Sequence, residues 1–241
     1  MSKRRNVPFN ISNELTDTKQ VLTLSGTVRK KYWEDDQVVD EQTVRAALAE
    51  SNVPLTIRLN SPGGDVFEGI SIYNLLKDSE RDITVEVTAL AASAASIIAM
   101  GADKVIMCKG SSLMIHEATS LAYGNKADIR KVLNALETID DSLVSIYVER
   151  TGNTVDQIND WLNEEKWFTA EEAVKNGFAH EVKDSIVDNV VKIDVLNLET
   201  VKDTLEKLKN EVEILKNSNG GAPEESLNKI KIFGGKRKYG N

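Results

Sequence analysis

The chain has 241 residues, of which 41% are hydrophobic and 28% are charged, and its formal net charge is −8. This apolar fraction suffices for a folded core and excludes a wholly disordered chain. The negative charge argues against a nucleic-acid partner, because phosphate contacts require a basic surface. The single cysteine, Cys108, excludes an internal disulfide, and with only two histidines we expect neither a metal centre nor another cofactor.

No segment of the sequence has the pattern of a membrane span. The apolar stretch 89–101 is interrupted by Ser93 and Ser96. It is shorter than the ~20 residues that a spanning helix requires. The basic residues near the N-terminus are followed by polar ones and not by the apolar region of a secretory signal. We therefore expect a cytoplasmic protein without a membrane partner.

Strand and helix patterns alternate along most of the chain. In chain order, the predicted elements are a strand at 21–27, a helix after Asp40, a strand at 54–59, a helix after Asp65, a strand at 83–88, a helix from Ala91 to Gly101, strands at 104–107 and 112–116, a helix at 128–147, a short helix from Thr169 to Gly177 and a last strand at 178–182. This alternation favours an α/β fold with parallel strands and crossover helices.

The sequence predicts four regions of different character. Residues 1–18 are polar and form a flexible arm, and 19–185 form the α/β domain. Apolar residues spaced 3 and 4 apart between Leu198 and Leu215 predict a heptad-like helix within 186–218, either a coiled-coil arm or a helix that packs on the domain. Residues 219–241 form a flexible basic tail.

Three local patterns have side chains or backbone suited to catalysis. The first is the turn Asn60-Ser61-Pro62-Gly63-Gly64, whose glycines allow backbone amides to approach an oxyanion. The second is Ser93, a hydroxyl among small residues after a strand. The third is His116 at the end of an apolar strand. Taken one by one, each has a simpler structural interpretation: a plain turn, a tightly packed helix and a structural histidine.

Taken together, the patterns make a serine nucleophile with a histidine base plausible. Of the two histidines, His116 is the better base, because a strand end presents it to a cleft, whereas His180 lies within the last predicted strand. The spacing alone does not choose the acid that would orient the imidazole. The candidates from the residues alone are Asp65, Asp128, Asp160, Glu164 and Glu165.

Four segments occur along the chain in the order NSPGG, AAS, MIH and TGN…WFTAEEAVKNGFA. Together they resemble the Clp-type serine peptidases (ClpP-like) over about residues 20–184. The closer resemblance is to their phage and prophage relatives, the head-maturation proteases. The resemblance implies the Clp/crotonase α/β fold with a C-terminal helical extension added. It also implies that copies of the chain assemble into a ring. Whether a chaperone ATPase binds to that ring is left open.

The resemblance also implies a role for each matching residue. Ser93 matches the nucleophile, His116 the general base, and Gly64 and Ala94 the two amide donors of the oxyanion hole. An ungapped match places Glu165 at the position of the acid, where the family usually has aspartate, with Asp160 and Glu164 as alternatives. The residues expected to bind the substrate are Asp65, Val66, Phe67, Glu117, Ala118 and Tyr123.

The predicted function is therefore a serine endopeptidase that cleaves phage capsid or scaffold proteins through an acyl-enzyme. The first alternative is a catalytically degenerate scaffold or assembly protein on the same fold, suggested by the glutamate at the position of the acid. The second is an acyl-CoA enzyme of the crotonase type, which shares the fold and the oxyanion hole but does not usually have a serine–histidine pair.

Overall fold

The computed structural model describes residues 7–183 and, beyond them, only Glu206 and Lys209, which are helical and exposed. The elements in chain order are β1 (Asn10–Leu15), β2 (Gln20–Ser25), α1 (Glu41–Glu50), β3 (Leu55–Ser61), α2 (Val66–Lys77), β4 (Ile83–Ala92), α3 (Ala94–Met100), β5 (Lys104–Cys108), β6 (Ser112–Ile115), α4 (Lys126–Thr151), α5 (Val155–Asn163), β7 (Lys166–Thr169), α6 (Ala170–Lys175) and β8 (Glu181–Lys183). The predicted α/β fold is confirmed. The predicted basic tail and most of the predicted heptad helix lie outside the described residues.

The sheet is mostly parallel. Its strand order is β1-β2-β3-β4-β5-β8, and β6 and β7 branch from β4. The pairs β1–β2 and β6–β7 are antiparallel, and the other pairs are parallel. Alternate residues of β3 (Leu55, Ile57 and Leu59) are buried, which explains why its alternating pattern was readable in the sequence.

The long strand β4 divides its pairing between two neighbours. Its first part, Thr84–Val87, pairs with β5, and its last part, Leu90–Ala92, pairs with β6. As a result, the ends of β4 and β6 lie side by side. The residues that follow these two strands, Ser93 and His116, therefore leave the sheet at neighbouring positions.

Polar caps fix where the principal helices begin. The Asp65 side chain accepts hydrogen bonds from the amides of Phe67 and Glu68 at the start of α2. Asn125 and Thr169 form capping boxes at the starts of α4 and α6. These caps matter for the site, because α2 begins immediately after the Gly63-Gly64 turn and α4 follows the loop after His116.

The structure differs from the sequence prediction in several places, and the helix α5 and the strand β7 were not predicted at all. Residues 10–15, which were predicted to belong to the flexible arm, form the edge strand β1. This strand is polar and little buried, so its sequence shows no clear alternation of apolar and polar residues. Ala91 and Ala92 continue β4, and the buried helix begins at Ala94. The last strand begins at Glu181 and not at 178. Within residues 7–183, no helix has the length and apolar character of a membrane span.

Candidate active site

The ends of three parallel strands bring the predicted site together. The Gly63-Gly64 turn follows β3, Ser93 follows β4, and His116 follows β6. Since β3 and β6 are both neighbours of β4, the three segments meet at one edge of the sheet. The carboxyl ends of parallel strands are where α/β folds commonly bind ligands.

Ser93 occupies a sharp turn between β4 and α3. Its φ is 55°, a value uncommon for a residue with a side chain. Its amide donates to the carbonyl of Met114 at 2.9 Å, and the Ser96 hydroxyl donates to the Ser93 carbonyl at 2.6 Å. Such a conformation costs about 1–3 kcal/mol and persists where the surroundings impose it, often at active sites. Here it exposes the Ser93 hydroxyl at the cleft.

The Ser93 hydroxyl and the His116 ring are within hydrogen-bonding distance. Ser93 Oγ and His116 Nε2 are 2.8 Å apart. This is the contact that a hydroxyl nucleophile needs with the base that takes its proton. The sequence predicted this pair, and the structure brings the two residues together across 23 positions of the chain.

The predicted oxyanion donors lie beside Ser93. The Gly63 carbonyl accepts from the Val28 amide at 2.9 Å, and the Asp65 amide donates to the Val28 carbonyl at 2.8 Å. The amides of Gly64 and Ala94 donate no hydrogen bond to any of the described residues. Two unpaired amides next to a nucleophile are suited to a developing oxyanion.

Both glycines of this turn are required by sterics. A Cβ on Gly63 would lie 2.4 Å from the Ala92 carbonyl oxygen and 2.7 Å from Ser93 Cβ. A Cβ on Gly64 would lie 2.0 Å from the Val28 carbonyl oxygen. Their φ angles, 83° and 152°, also disfavour a side chain. The turn can approach Ser93 this closely only because both side chains are absent.

The structure shows no hydrogen bond or ion pair between the His116 ring and any of the acids predicted from the family match. Glu165 is exposed, with a φ of 51°, and directly precedes Lys166, whose register partner is Ile115. Its backbone is therefore close to His116, but its carboxylate makes no hydrogen bond or ion pair with the ring. Asp160 and Glu164 are also exposed. Among residues 7–183, no carboxylate oxygen is hydrogen-bonded or ion-paired to His116.

Sequence reasoning missed a carboxylate close to this site, Asp140 of α4. Its Oδ1 accepts a hydrogen bond from the amide of Ala118, two residues after His116, at 2.7 Å. Burial raises the pKa of Asp140, whereas the Ala118 hydrogen bond lowers it. The available signal was its position, because Asp140 falls within the stripe Leu136, Asp140, Leu143 and Tyr147, whose spacing of 4, 3 and 4 places these side chains on one helix face.

An open cleft of about 310 Å³ contains Ser93 and His116. Of the predicted substrate-binding residues, five line the cleft: Asp65, Val66, Phe67, Glu117 and Ala118. Tyr123 is fully exposed and is not among the residues that line it. Apolar side chains from two helices, Ile97, Leu136, Ile139, Leu143 and Tyr147, form part of the wall. The cleft therefore presents an apolar surface next to the nucleophile.

The Clp protease family model matches residues 3–186. This chain belongs to the Clp protease family. It is 29% identical over 175 residues to the ATP-dependent Clp protease proteolytic subunit 3 of Rhodococcus jostii, a match that covers 70% of this chain and 84% of the relative. It is 27% identical over 168 residues to the proteolytic subunit 1 of Leifsonia xyli, covering 69% of this chain and 84% of the relative.

A solved structure shows the same fold. A point mutant of ClpP1 from Listeria monocytogenes aligns with a TM-score of 0.58 and 21% sequence identity, over 69% of this chain and 92% of that one. The fold prediction is thereby confirmed, and family membership confirms the prediction of a Clp-type serine peptidase. The assignment to the phage head-maturation branch and the roles of individual residues stay predictions.

Proposed function

We propose that the chain is an endopeptidase in which Ser93 is the nucleophile and His116 the general base. The observation that carries the proposal is the 2.8 Å contact between Ser93 Oγ and His116 Nε2. The unpaired amides of Gly64 and Ala94 support it, because they are available to a substrate carbonyl oxygen.

The reaction follows from these positions. Ser93 Oγ attacks the peptide carbonyl carbon while its proton passes to His116 Nε2, and the amides of Gly64 and Ala94 stabilise the oxyanion. Protonated His116 then gives the proton to the leaving amine, and the C–N bond breaks to leave an acyl-enzyme. Water, deprotonated by His116, attacks the acyl carbon. The bond from that carbon to Ser93 Oγ then breaks, the carboxyl product leaves, and the proton on His116 returns to Ser93 Oγ. Loss of one oxyanion donor typically lowers such a rate by ~10²–10³.

The substrate proposed here is an extended polypeptide. The segment 65–67 and the residues Glu117 and Ala118 both line the open cleft beside Ser93, which gives an extended chain a place to lie across the nucleophile. The apolar wall favours an apolar side chain next to the scissile bond. The resemblance of NSPGG, MIH and WFTAEEAVKNGFA to the phage branch supports capsid or scaffold proteins as substrates, and a ring of identical chains as the assembly.

An internally quenched peptide with an apolar residue at its centre tests the activity. We expect wild type to cleave it internally, and Ser93→Ala and His116→Gln to lose at least about a thousandfold in rate. A capsid or scaffold protein from the same source should be cut at a defined site by wild type only. Cleavage that survives in Ser93→Ala would contradict the proposal.

One observation favours a second candidate, a scaffold or assembly protein that has lost catalysis. No carboxylate among residues 7–183 is bonded to His116, so the base lacks the partner that usually orients it. This candidate predicts binding to a partner protein that is unchanged in Ser93→Ala, with no cleavage by wild type at any protein concentration.

A further inference from the structure

We propose that Asp140 is the positioning carboxylate of this site: it holds the loop that carries His116 and stabilises the imidazolium that forms when His116 takes the Ser93 proton. This inference rests on the proposed peptidase function. It concerns a residue of α4, outside the segment 160–165 from which the family match takes the acid.

The position of Asp140 is the first argument. It lies on the face of α4 that contributes Leu136, Leu143 and Tyr147 to the wall of the cleft, and it is partly buried there. An ionisable group in such a stripe is costly to bury, because burial disfavours the charged form. Other acids of this helix, such as Glu137 and Asp141, are exposed. The partly buried position of Asp140 is therefore best explained by an interaction with the neighbouring loop.

The hydrogen bonds of Asp140 are the second argument. Oδ1 accepts from the Ala118 amide at 2.7 Å, which ties α4 to the loop two residues after His116. Oδ2 accepts no hydrogen bond from any of the described residues. One oxygen therefore fixes the loop, and the other is available to a positive charge on the same loop.

The charges around Asp140 are the third argument. On the elements packed against α4, the groups that act on Asp140 are His116 and Glu117 from the loop after β6 and its own neighbour Asp141. The pKa of Asp140 is raised, mainly by burial and also by the charges of Glu117 and Asp141, whereas the Ala118 hydrogen bond and the charge of protonated His116 lower it. The negative charge of ionised Asp140 and the positive charge that His116 gains during the reaction therefore attract each other.

Asparagine at position 140 separates the two roles. Asp140→Asn keeps an oxygen that can accept from the Ala118 amide, so a role limited to holding the loop survives. It removes the charge, so the stabilisation of the imidazolium is lost. One unit of pKa at His116 corresponds to a tenfold change in the balance of its two forms, and we expect Asp140→Asn to slow the reaction of Ser93 by about tenfold or more.

The experiment measures the rate at which a fluorophosphonate probe labels the full chain between about pH 5 and pH 9, the range in which histidine titrates. In Asp140→Asn the plateau rate should fall, and the midpoint of the pH profile should move to lower pH, because a histidine that has lost a nearby negative charge deprotonates more readily. Asp141→Asn, the exposed neighbour, is the matched control and should retain the wild-type profile. Glu165→Gln tests the competing assignment of the acid.

A second readout does not require activity. In the Ser93→Ala background, nuclear magnetic resonance of the two histidines, assigned with His180→Gln, gives the pKa of His116 directly. Asp140→Asn should lower it, and Asp141→Asn should not. If Asp140→Asn does not fold, Asp140→Ser supplies a small neutral acceptor at the same position.

The outcomes separate this inference from the proposed function. If wild type is not labelled at Ser93, the proposed function fails. If wild type is labelled but Asp140→Asn retains both its rate and its midpoint, the peptidase stands and the inference about Asp140 is overturned. Loss of rate in Glu165→Gln, with Asp140→Asn unchanged, overturns it equally and assigns the acid to Glu165.

Discussion

A buried pair of hydroxyls, Ser96 and Tyr147, supports the turn that holds Ser93. Both side chains are almost fully buried, and their oxygens are 2.8 Å apart. The single hydroxyl proton of Ser96 is donated to the Ser93 carbonyl, so Tyr147 is the donor of the second bond. Removing each hydroxyl alone, and then both together, measures how much this pair stabilises the domain.

The two single variants should differ in cost. Ser96→Ala leaves the Tyr147 hydroxyl buried without its partner, at about 1–3 kcal/mol, and also removes one hydrogen bond worth about 1 kcal/mol, so we expect a loss of about 2–3 kcal/mol. Tyr147→Phe preserves the ring and its edge contact with Phe178, and Ser96 keeps its bond to Ser93. We expect that variant to lose only about 1 kcal/mol.

The double variant provides the decisive comparison. Removing both hydroxyls leaves no orphaned donor, so Ser96→Ala/Tyr147→Phe should be more stable than Ser96→Ala alone by about 1 kcal/mol. Urea unfolding at one protein concentration measures this, because a difference of 1 kcal/mol moves the midpoint by about 0.5 M when the slope is about 2 kcal/mol/M. Additive losses, or a double variant less stable than Ser96→Ala, would refute the reasoning.

Two further predictions concern other parts of the domain. Gly63→Ala should cost about 2–5 kcal/mol of stability, measured by thermal unfolding, and should abolish labelling of Ser93, because a Cβ would lie 2.4 Å from a carbonyl oxygen at the nucleophile turn. The pKa of His180 is lowered by burial and then by the charge of Arg150, and its Nδ1 accepts from the Val105 amide. A lowered folded-state pKa contributes stability above the unfolded value of 6.5 that is lost as the pH falls. Wild type should therefore lose more stability than His180→Gln between about pH 7 and pH 5, and equal losses in urea unfolding would contradict this.

The sequence was most informative where a single local pattern determines the structure. The alternation of residues 54–59 and the capping box at Thr169 both correspond to elements of the structure. The strand β1 was missed because its residues are polar and mostly exposed at the edge of the sheet. The helix α5 and the strand β7 are short, and neither was recognised as a separate element.

The candidate site, too, was only partly predictable from the sequence. Ser93 and His116 follow strands that are neighbours in the sheet, so their meeting follows from strand order. The carboxylate partner does not follow from spacing, because side-chain direction depends on tertiary packing. Glu165 lies near His116 along the backbone yet its side chain is exposed, whereas Asp140, 24 positions after the histidine in sequence, is tied to the loop of His116.

The most direct test of the central claim is to map the residue that a fluorophosphonate modifies. Reaction of the full chain with the probe, followed by trypsin digestion and mass spectrometry, should place one adduct in peptide 82–104, on Ser93. The adduct should be absent in Ser93→Ala and strongly reduced in His116→Gln. An unmodified wild-type chain, or an adduct on any other residue that persists in Ser93→Ala, would contradict the account.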